Sequence, residues 1–203
     1  MIIYKASVKN FIKIIELCDK NSLPFIYPTD TIYGIGATFL NHEANKRIYQ
    51  IKKRDKNKSF IVLIGNLDQL FMLIDKSSFN EIHKKFINNL WPGEFTLIFR
   101  AKSTLPDYIL NKGKIAVRFP KYKDLALAIE STCPITSTSA NLSYTNINHS
   151  FKDILSQFKN KIDYFIYKEL HSKTPSTIID ISDSYNPTFI RNPKKYKIDD
   201  LTK

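Results

Sequence analysis

The sequence has few cysteines and few glycines. The two cysteines, Cys18 and Cys133, are too few for a disulfide framework and too far apart for a CxxC metal site. Both are therefore expected to be small buried side chains of a protein in a reducing compartment. Only 5 of the 203 residues are glycine and no tract is of low complexity, which excludes collagen-like chains and flexible linkers.

Long hydrophobic runs are also missing. The longest apolar runs, such as Phe60–Ile64, are far too short to span a membrane. The amino-terminal residues lack the basic stretch followed by an apolar stretch that is typical of a secretory signal. These absences predict a soluble, cytoplasmic protein with no membrane contact.

The common nucleotide and metal signatures are absent as well. Gly34-Ile35-Gly36 would need a third glycine at position 39 to match the dinucleotide fingerprint, but Phe39 is there, and no GxxxxGK[ST] loop occurs. No GxSxG elbow and no Cys/His nucleophile pairing is visible. The four histidines lack the spacing of metal ligands, so we expect no tightly bound metal and a surface position for each: His42, His83, His149 and His171.

Positive charge is present in excess. The chain has 31 Lys and Arg against 19 Asp and Glu, a formal net charge of +12, which indicates an anionic partner, either a polymer or a small phosphate. Most of the excess is lysine, spread evenly along the chain, and such a bias can reflect residue usage alone. Arginine is the more informative residue, since Arg54, Arg118 and Arg191 fall in the polar segments described next.

The order of expected elements indicates the fold class. Strands alternate with helices in the first half of the chain and cluster near its end, which predicts one α/β domain over residues 1–203, a mixed sheet with helices packed on it. Helices are expected at Ser7–Lys20 and from Ser78, where Glu81 completes a capping box. Residues 28–36 are expected to form a loop, and residues 141–150 a mobile one.

Polar segments follow several of the expected strands. Residues 28–36 place hydroxyl and carboxyl side chains after a strand, residues 52–58 hold five basic side chains, and residues 136–141 carry four hydroxyls and an amide. Taken singly, each segment also has an ordinary structural explanation: a turn for residues 28–36, a solvated helix end for residues 52–58 and a capped turn for residues 136–141. Arg118 lies inside an apolar strand and must face a wet cleft or a partner. Together they predict a basic, hydroxyl-lined cleft for phosphate and carboxylate groups.

The order of six motifs resembles the YrdC-like family of TsaC-type L-threonylcarbamoyladenylate synthases. The resemblance runs from about Phe25 to Arg191. The segments that resemble its motifs are, in chain order, Pro28-Thr29-Asp30-Thr31-Ile32-Tyr33-Gly34 (PTDTxYG), Lys52-Lys53-Arg54 (KxR), Leu90-Trp91-Pro92-Gly93 with Thr96 (WPGxxT), Ala116-Val117-Arg118-Phe119-Pro120 (AVRxP), Thr138-Ser139-Ala140-Asn141-Leu142-Ser143 (TSANxS) and Pro175-Ser176-Thr177-Ile178-Ile179-Asp180 (STvvD).

The resemblance implies a twisted open sheet around a basic central cavity, in the short single-domain form. It implies that L-threonine, bicarbonate or CO2, and ATP react to give L-threonylcarbamoyl-AMP and pyrophosphate, with Mg²⁺ carried by ATP. A partner threonylcarbamoyl transferase complex would then modify tRNA. By resemblance, Lys52 and Arg54 are catalytic, and the ATP-binding residues are Lys52, Arg54, Lys58, Ser139, Asn141 and Arg191. The residues implied to bind threonine are Thr31, Arg118, Ser137 and Ser176.

The chain departs from the family pattern at Asp55, Ser59, Tyr144 and Asn192. The departures leave the charged and hydroxyl side chains of the expected cleft in place. Two alternatives remain open at this point. A concave basic surface also suits a module that binds double-stranded RNA or tRNA, and a related family branch would have a different activity.

Overall fold

The computed structural model describes residues 1–143, 145, 150–170 and 172–202. Within these residues the strands are β1 (Ile2–Lys5), β2 (Phe25–Tyr27), β3 (Gly34–Gly36), β4 (Ile61–Leu63), β5 (Phe95–Arg100), β6 (Leu110–Asn111), β7 (Lys114–Arg118), β8 (Ile135–Ser139), β9 (Tyr164–Tyr167), β10 (Thr177–Asp180) and β11 (Thr188–Arg191). The helices are α1 (Val8–Lys20), α2 (His42–Lys52), α3 (Leu67–Leu73), α4 (Glu81–Leu90), α5 (Lys123–Ser131), α6 (Phe151–Phe158) and α7 (Ile198–Leu201).

The strands form one mixed sheet. Their order is β1-β9-β2-β3-β8-β4-β7-β5-β10-β11, with β6 beside β7. The β1/β9, β2/β9, β4/β7 and β5/β10 pairs are parallel, and the other pairs are antiparallel. The prediction of a mixed α/β sheet with packed helices is therefore confirmed.

Helices cover both faces of the sheet. Side chains alternate along each strand, so buried apolar side chains point to both faces and pack against these helices. In β2, Phe25 and Tyr27 pack in the cluster that contains α1 and α5, whereas Ile26 packs in the larger cluster that contains α2, α4 and α6. Helix α1 begins after Ser7, whose hydroxyl accepts a hydrogen bond from the Asn10 amide, as expected of an N-cap residue. Phe11, Ile15 and Cys18 follow one another at spacings of four and three residues, as in an amphipathic helix, and all three are buried on one face of α1.

Residues 34–36 form a strand rather than the end of a loop. A Cβ on Gly36 would lie 1.8 Å from the Thr136 carbonyl oxygen, so only glycine lets β3 approach β8 this closely. The glycines that suggested a loop therefore serve a close strand contact. A single sequence does not distinguish these two uses of glycine.

Helix α4 begins at Glu81, not at Ser78. Its N-cap is Asn80, whose side chain accepts hydrogen bonds from the amides of Ile82 and His83. In turn, the His83 ring accepts a hydrogen bond from the Asn80 amide. The capping box is therefore Asn80 with His83. The expected surface position of His83 is wrong, since the ring is 2% exposed and also bonds the Ile181 carbonyl.

The two cysteines differ in burial. Cys18 is buried, as expected, but Cys133 is only half-buried. Burial, helped by the nearby carboxylate of Asp163, raises the pKa of Cys18 to about 12, and burial with Asp19 raises that of Cys133 to about 11. Both thiols therefore stay protonated near neutral pH and are poor nucleophiles.

Part of the sequence-based reading falls outside the described residues. The described residues do not include Tyr144, residues 146–148, His149 or His171. The mobility expected over 141–150 and the surface positions expected of these two histidines therefore stay predictions. None of the helices in the described ranges is both long and apolar enough to cross a membrane.

Candidate functional site

A cavity of about 320 Å³ opens on one face of the sheet, and we call it the central cavity. Its floor is a row of side chains that are opposite one another in the register of adjacent strands: Ser137 on β8, Ile61 on β4, Ala116 on β7 and Ile98 on β5. Because facing residues of paired strands point to the same side, this row forms a continuous surface. Loops at the ends of the strands supply the polar walls.

The floor and walls together contain seven of the ten side chains that the sequence nominated. They are Thr31, Arg54, Arg118, Ser137, Ser139, Ser176 and Arg191. They come from segments far apart in the chain, namely the loop after β2, the turn after α2, and strands β7, β8, β10 and β11 with their flanking residues. The described residues that line the cavity include three arginines and no carboxylate, an arrangement that favours an anionic ligand.

The other three nominated residues do not line the central cavity. Lys58 is exposed in the turn that follows α2, where its carbonyl accepts hydrogen bonds from Arg54 and Tyr49. Asn141 is buried behind Ser139, and its side-chain oxygen accepts a 2.5 Å hydrogen bond from the Ser139 hydroxyl. Lys52 is buried as well and is described next.

Lys52 is an anchor beneath the loop at the end of β8. Its side chain is 2% exposed, and its ammonium group donates hydrogen bonds to the carbonyls of Ser139 and Asn141. The Lys52 carbonyl also accepts a 2.9 Å bond from the Ser143 amide. Burial, and secondly the positive charge of Arg54, lowers the pKa of Lys52 to about 7. Lys52 therefore holds residues 139–143 in place. Its ammonium group loses its proton at a lower pH than that of an ordinary lysine.

Arg54 is held in place at the edge of the central cavity. Its guanidinium donates to the carbonyls of Lys58 and Ser59 and to the Thr138 hydroxyl, and it lies over the ring of Phe60. Burial lowers the pKa of Arg54, yet the group stays charged because an arginine does not lose its proton in this range. These contacts give the cavity a fixed positive charge.

Arg118 is 5% exposed and makes contacts through all three guanidinium nitrogens. Nε donates to the Gly93 carbonyl at 3.0 Å and Nη1 to the Thr31 hydroxyl at 2.8 Å. Nη2 lies 2.7 Å from Oδ1 of Asp30, which forms an ion pair with it. The sequence reading missed Asp30, although a buried arginine requires a counter-charge and Asp30 stands between the cavity-lining threonines Thr29 and Thr31.

Arg191 is the last residue of β11, lines the central cavity and is tied to Ser176 just before β10. Its Nε donates to the Ser176 carbonyl at 2.7 Å and its Nη2 to the Ser176 hydroxyl at 2.9 Å, while that hydroxyl is 2.9 Å from the hydroxyl of Thr96. Burial, and next the charge of Arg118, lowers the pKa of Arg191. The two arginines therefore repel each other and share an anion-attracting end of the cavity.

A second group that the sequence reading missed holds the segment after Arg191. The Glu94 carboxylate accepts hydrogen bonds from Lys194 at 2.7 Å and from the Tyr196 hydroxyl at 2.7 Å. Asn192 closes the turn by bonding the amide and the carbonyl of Tyr196. Burial opposes ionisation of Glu94, but the bonds from Lys194 and Tyr196 outweigh it and lower its pKa. We call Glu94, Lys194 and Tyr196 the carboxyl-terminal strap.

The described residues contain no group of three or more His, Cys, Asp or Glu side chains that could hold a metal ion. A divalent cation at the central cavity would therefore take its remaining ligands from water and from a phosphate ligand.

A family model described as Sua5_yciO_yrdC, Telomere recombination, matches residues 20–192. A protein of Methanocaldococcus jannaschii, named "Putative threonylcarbamoyl-AMP synthase", is 35% identical over 89% of this chain and 86% of its own length. The threonylcarbamoyl-AMP synthase of Buchnera aphidicola subsp. Baizongia pistaciae is 28% identical over 85% of this chain and 95% of its own length.

Solved structures give the same picture of the fold. Sua5 of P. abyssi, in a crystal structure of its complex with L-threonine, superposes with a TM-score of 0.84 and 27% sequence identity over 94% of this chain. The chain spans only 57% of the length of that Sua5 chain.

Proposed function

The chain belongs to the Sua5/YciO/YrdC family, and from this membership we propose that it is an L-threonylcarbamoyl-AMP synthase. It forms L-threonylcarbamoyl-AMP and pyrophosphate from L-threonine, bicarbonate or CO2, and ATP. The observation that carries the proposal is the central cavity, whose lining contains all four side chains implied to bind threonine and three of the six implied to bind ATP. The names of the two synthases and the L-threonine complex of Sua5 support the same substrates.

The reaction needs no nucleophile from the protein. The ammonium group of bound threonine first loses a proton to solvent. The neutral amine then attacks the carbon of CO2 and releases a second proton to solvent, which gives a carbamate anion. A carbamate oxygen then attacks the α-phosphorus of ATP, and the bond to pyrophosphate breaks. Because two anions must meet and a third must leave, positioning and charge neutralisation are what the protein can supply.

The triphosphate is assigned to Arg54 and Ser139 at the end of β8, and to Arg191 from the part of the cavity that it shares with Arg118 and Ser176. Arg54 and Arg191 supply fixed charge for the triphosphate, and the Ser139 hydroxyl is within reach of phosphate or ribose oxygens. Lys52 acts on the same end, since it holds the carbonyls of Ser139 and Asn141. Lys58 at the exposed turn would meet the triphosphate from the solvent side.

The threonine end is assigned to Arg118, Thr31, Ser137 and Ser176. The Arg118 guanidinium is fixed by its contacts with Thr31 and the Gly93 carbonyl, so it is oriented before a carboxylate arrives. Ser137 on β8 and Ser176 just before β10 both line the central cavity. They can accept or donate hydrogen bonds to the side-chain hydroxyl of threonine.

Other parts of the proposal lie outside the cavity. Mg²⁺ enters with ATP and keeps water ligands, which agrees with the ligand chemistry of the cavity walls. The product is passed to a partner threonylcarbamoyl transferase complex for tRNA modification, and the diffuse lysines offer a surface for tRNA. Residues 1–203 are proposed to act as one domain.

The direct test is pyrophosphate release from ATP by the purified chain. We expect release only when both L-threonine and bicarbonate are present, because the carbamate is the attacking group. Release that does not need threonine would instead indicate a related branch with another acceptor. Tight binding of double-stranded RNA without any release would favour the RNA-binding alternative.

Breaking the carboxyl-terminal strap is expected to change the KM for ATP only slightly. Glu94→Gln removes the ion pair with Lys194 and should loosen the segment that carries Arg191. A partly exposed pair contributes at most ~1 kcal/mol, so the KM for ATP should rise about two- to fivefold at low ionic strength. Steady-state kinetics at low and high salt would measure this.

Glu81→Gln is the matched control for the strap, because it breaks an exposed Glu81–Lys84 pair on α4 outside the central cavity. It should leave the KM for ATP unchanged. Equal effects of the two variants, or an effect of Glu94→Gln that high salt does not reduce, would contradict the assignment.

A further inference from the structure

The Asp30–Arg118 ion pair contains two polar atoms that the protein leaves incompletely satisfied. Oδ1 of Asp30 and Nη2 of Arg118 are both buried, and within the described part of the chain neither makes a hydrogen bond of good geometry. They are nevertheless 2.7 Å apart, so they attract each other as charges although their angles are poor. The Asp30 side chain remains 17% exposed and sits between Thr29 and Thr31, which line the central cavity.

A buried ion pair of this kind is costly unless further hydrogen bonds satisfy both partners. Because Oδ1 of Asp30 and Nη2 of Arg118 are buried, a ligand would meet the pair through the 17% of the Asp30 side chain that is exposed, beside the lining residues Thr29 and Thr31, and through Arg118 where it lines the central cavity. A ligand that carries a cation and an anion close together matches both charges. In an α-amino acid a single carbon separates the ammonium and carboxylate groups, which suits two adjacent protein charges of opposite sign. A simple carboxylate would satisfy Arg118 and would be repelled by Asp30.

We propose that Asp30 binds the α-ammonium group of the substrate, so that Asp30 and Arg118 together recognise the zwitterion of an amino acid. The inference deepens the proposed function and rests on it. Arg118 alone would accept any hydroxy acid with a carboxylate and a suitably placed hydroxyl. Asp30 adds the requirement for the amino group, which is the group that must form the carbamate. Asp30 is thus a specificity-determining residue of the threonine end.

The test compares two ligands that differ only in the amino group, L-threonine and (R)-3-hydroxybutanoate. Their affinities for the full chain and for Asp30→Asn are measured by NMR titration, without any need for turnover. The wild-type chain should bind threonine about 10- to 100-fold more tightly, the value of one charge-assisted hydrogen bond. In Asp30→Asn, threonine should bind at least about tenfold more weakly, and 3-hydroxybutanoate equally well or better.

Effects of opposite sign on the two ligands separate recognition from structural damage, since a misfolded site would weaken both. Asp183→Asn, which removes an exposed carboxylate after β10, is the matched control and should preserve the wild-type preference. Equal loss of both ligands in Asp30→Asn would overturn the inference and leave the proposed function intact.

The wild-type chain alone also provides a test that does not depend on the folding of the variant. Equal binding of the two ligands by wild type would overturn the role of Asp30. If wild type binds neither ligand, both the proposed function and this inference are overturned.

Discussion

Arg118→Ala is expected to raise the KM for L-threonine about 100-fold or more, while the KM for ATP changes less than about threefold. A guanidinium that holds a carboxylate in a fork makes two charge-assisted hydrogen bonds, each contributing about 1.5–3 kcal/mol. Losing two such bonds gives an effect of this size. Initial rates of pyrophosphate release, with each substrate varied in turn, would measure it.

The alanine variant also leaves Asp30 buried without its partner, which would cost about 3–5 kcal/mol of stability. Arg118→Lys is the matched control, because it keeps a positive charge near Asp30 but cannot form the fork. Its KM for threonine should lie between those of wild type and the alanine variant, at about tenfold above wild type. Threonine saturation that is unchanged in both variants would show that the carboxylate binds elsewhere.

Lys52→Met is expected to reduce pyrophosphate release at least about 100-fold while the fold survives, since small displacements of a binding loop have effects of this order. Methionine fills a volume similar to that of the lysine stem and lacks the donors for the carbonyls of Ser139 and Asn141. The loop that presents Ser139 to the central cavity would therefore lose its anchor. Circular dichroism and the pyrophosphate assay together would measure fold and activity.

The same variant tests the lowered pKa of Lys52. The value is about 7 in the folded chain, against 10.5 for an ordinary lysine. Between these two values the unfolded chain binds more protons than the folded chain, so stability rises with pH. This one group can add up to about 1.4 kcal/mol per pH unit in that window. Below pH 7 both states are protonated, and the contribution to the slope disappears.

Urea unfolding of wild type and Lys52→Met from pH 6 to pH 10 would measure this dependence. The stability of the variant relative to wild type should fall as the pH rises, because only wild type gains stability by losing the proton. A constant difference over the whole range would show that Lys52 titrates normally. Pyrophosphate release by Lys52→Met at the wild-type rate would show that Lys52 has no role in the reaction.

Residue type and local spacing were enough to predict many of the site residues. Arg118 stood out because a charged group in an apolar strand needs a polar environment, and the structure places it at the central cavity. Ser137 and Ser139 stood out as hydroxyls at the end of a strand, the resemblance added Ser176, and all three line the same cavity. Asp30 and Glu94 were missed because their partners lie 88 and 100 residues away in the sequence, at Arg118 and Lys194.

The orientation of Lys52 also required the folded chain. In the sequence Lys52 and Lys58 belong to one basic run, but one is buried beneath the end of β8 and the other is exposed. Helix α2 ends at Lys52, and the next residue, Lys53, adopts a left-handed conformation with φ of 51°. This reversal separates two lysines that composition treats as equivalent, and it gives them different surroundings and different tasks.

The sequence by itself determined the mixed α/β class, the buried face of α1 and the polar character of the strand ends. These features follow from side-chain periodicity and residue type, which act over a few residues. Only the tertiary structure decided that β3 is a strand, that Asn80 caps α4, and that Asp30 neutralises Arg118. The first and third of these depend on partners from distant strands, and the Asn80 cap is supported from afar by Ser184 and by the contact of His83 with the Ile181 carbonyl. Short-range patterns carry no information about such contacts.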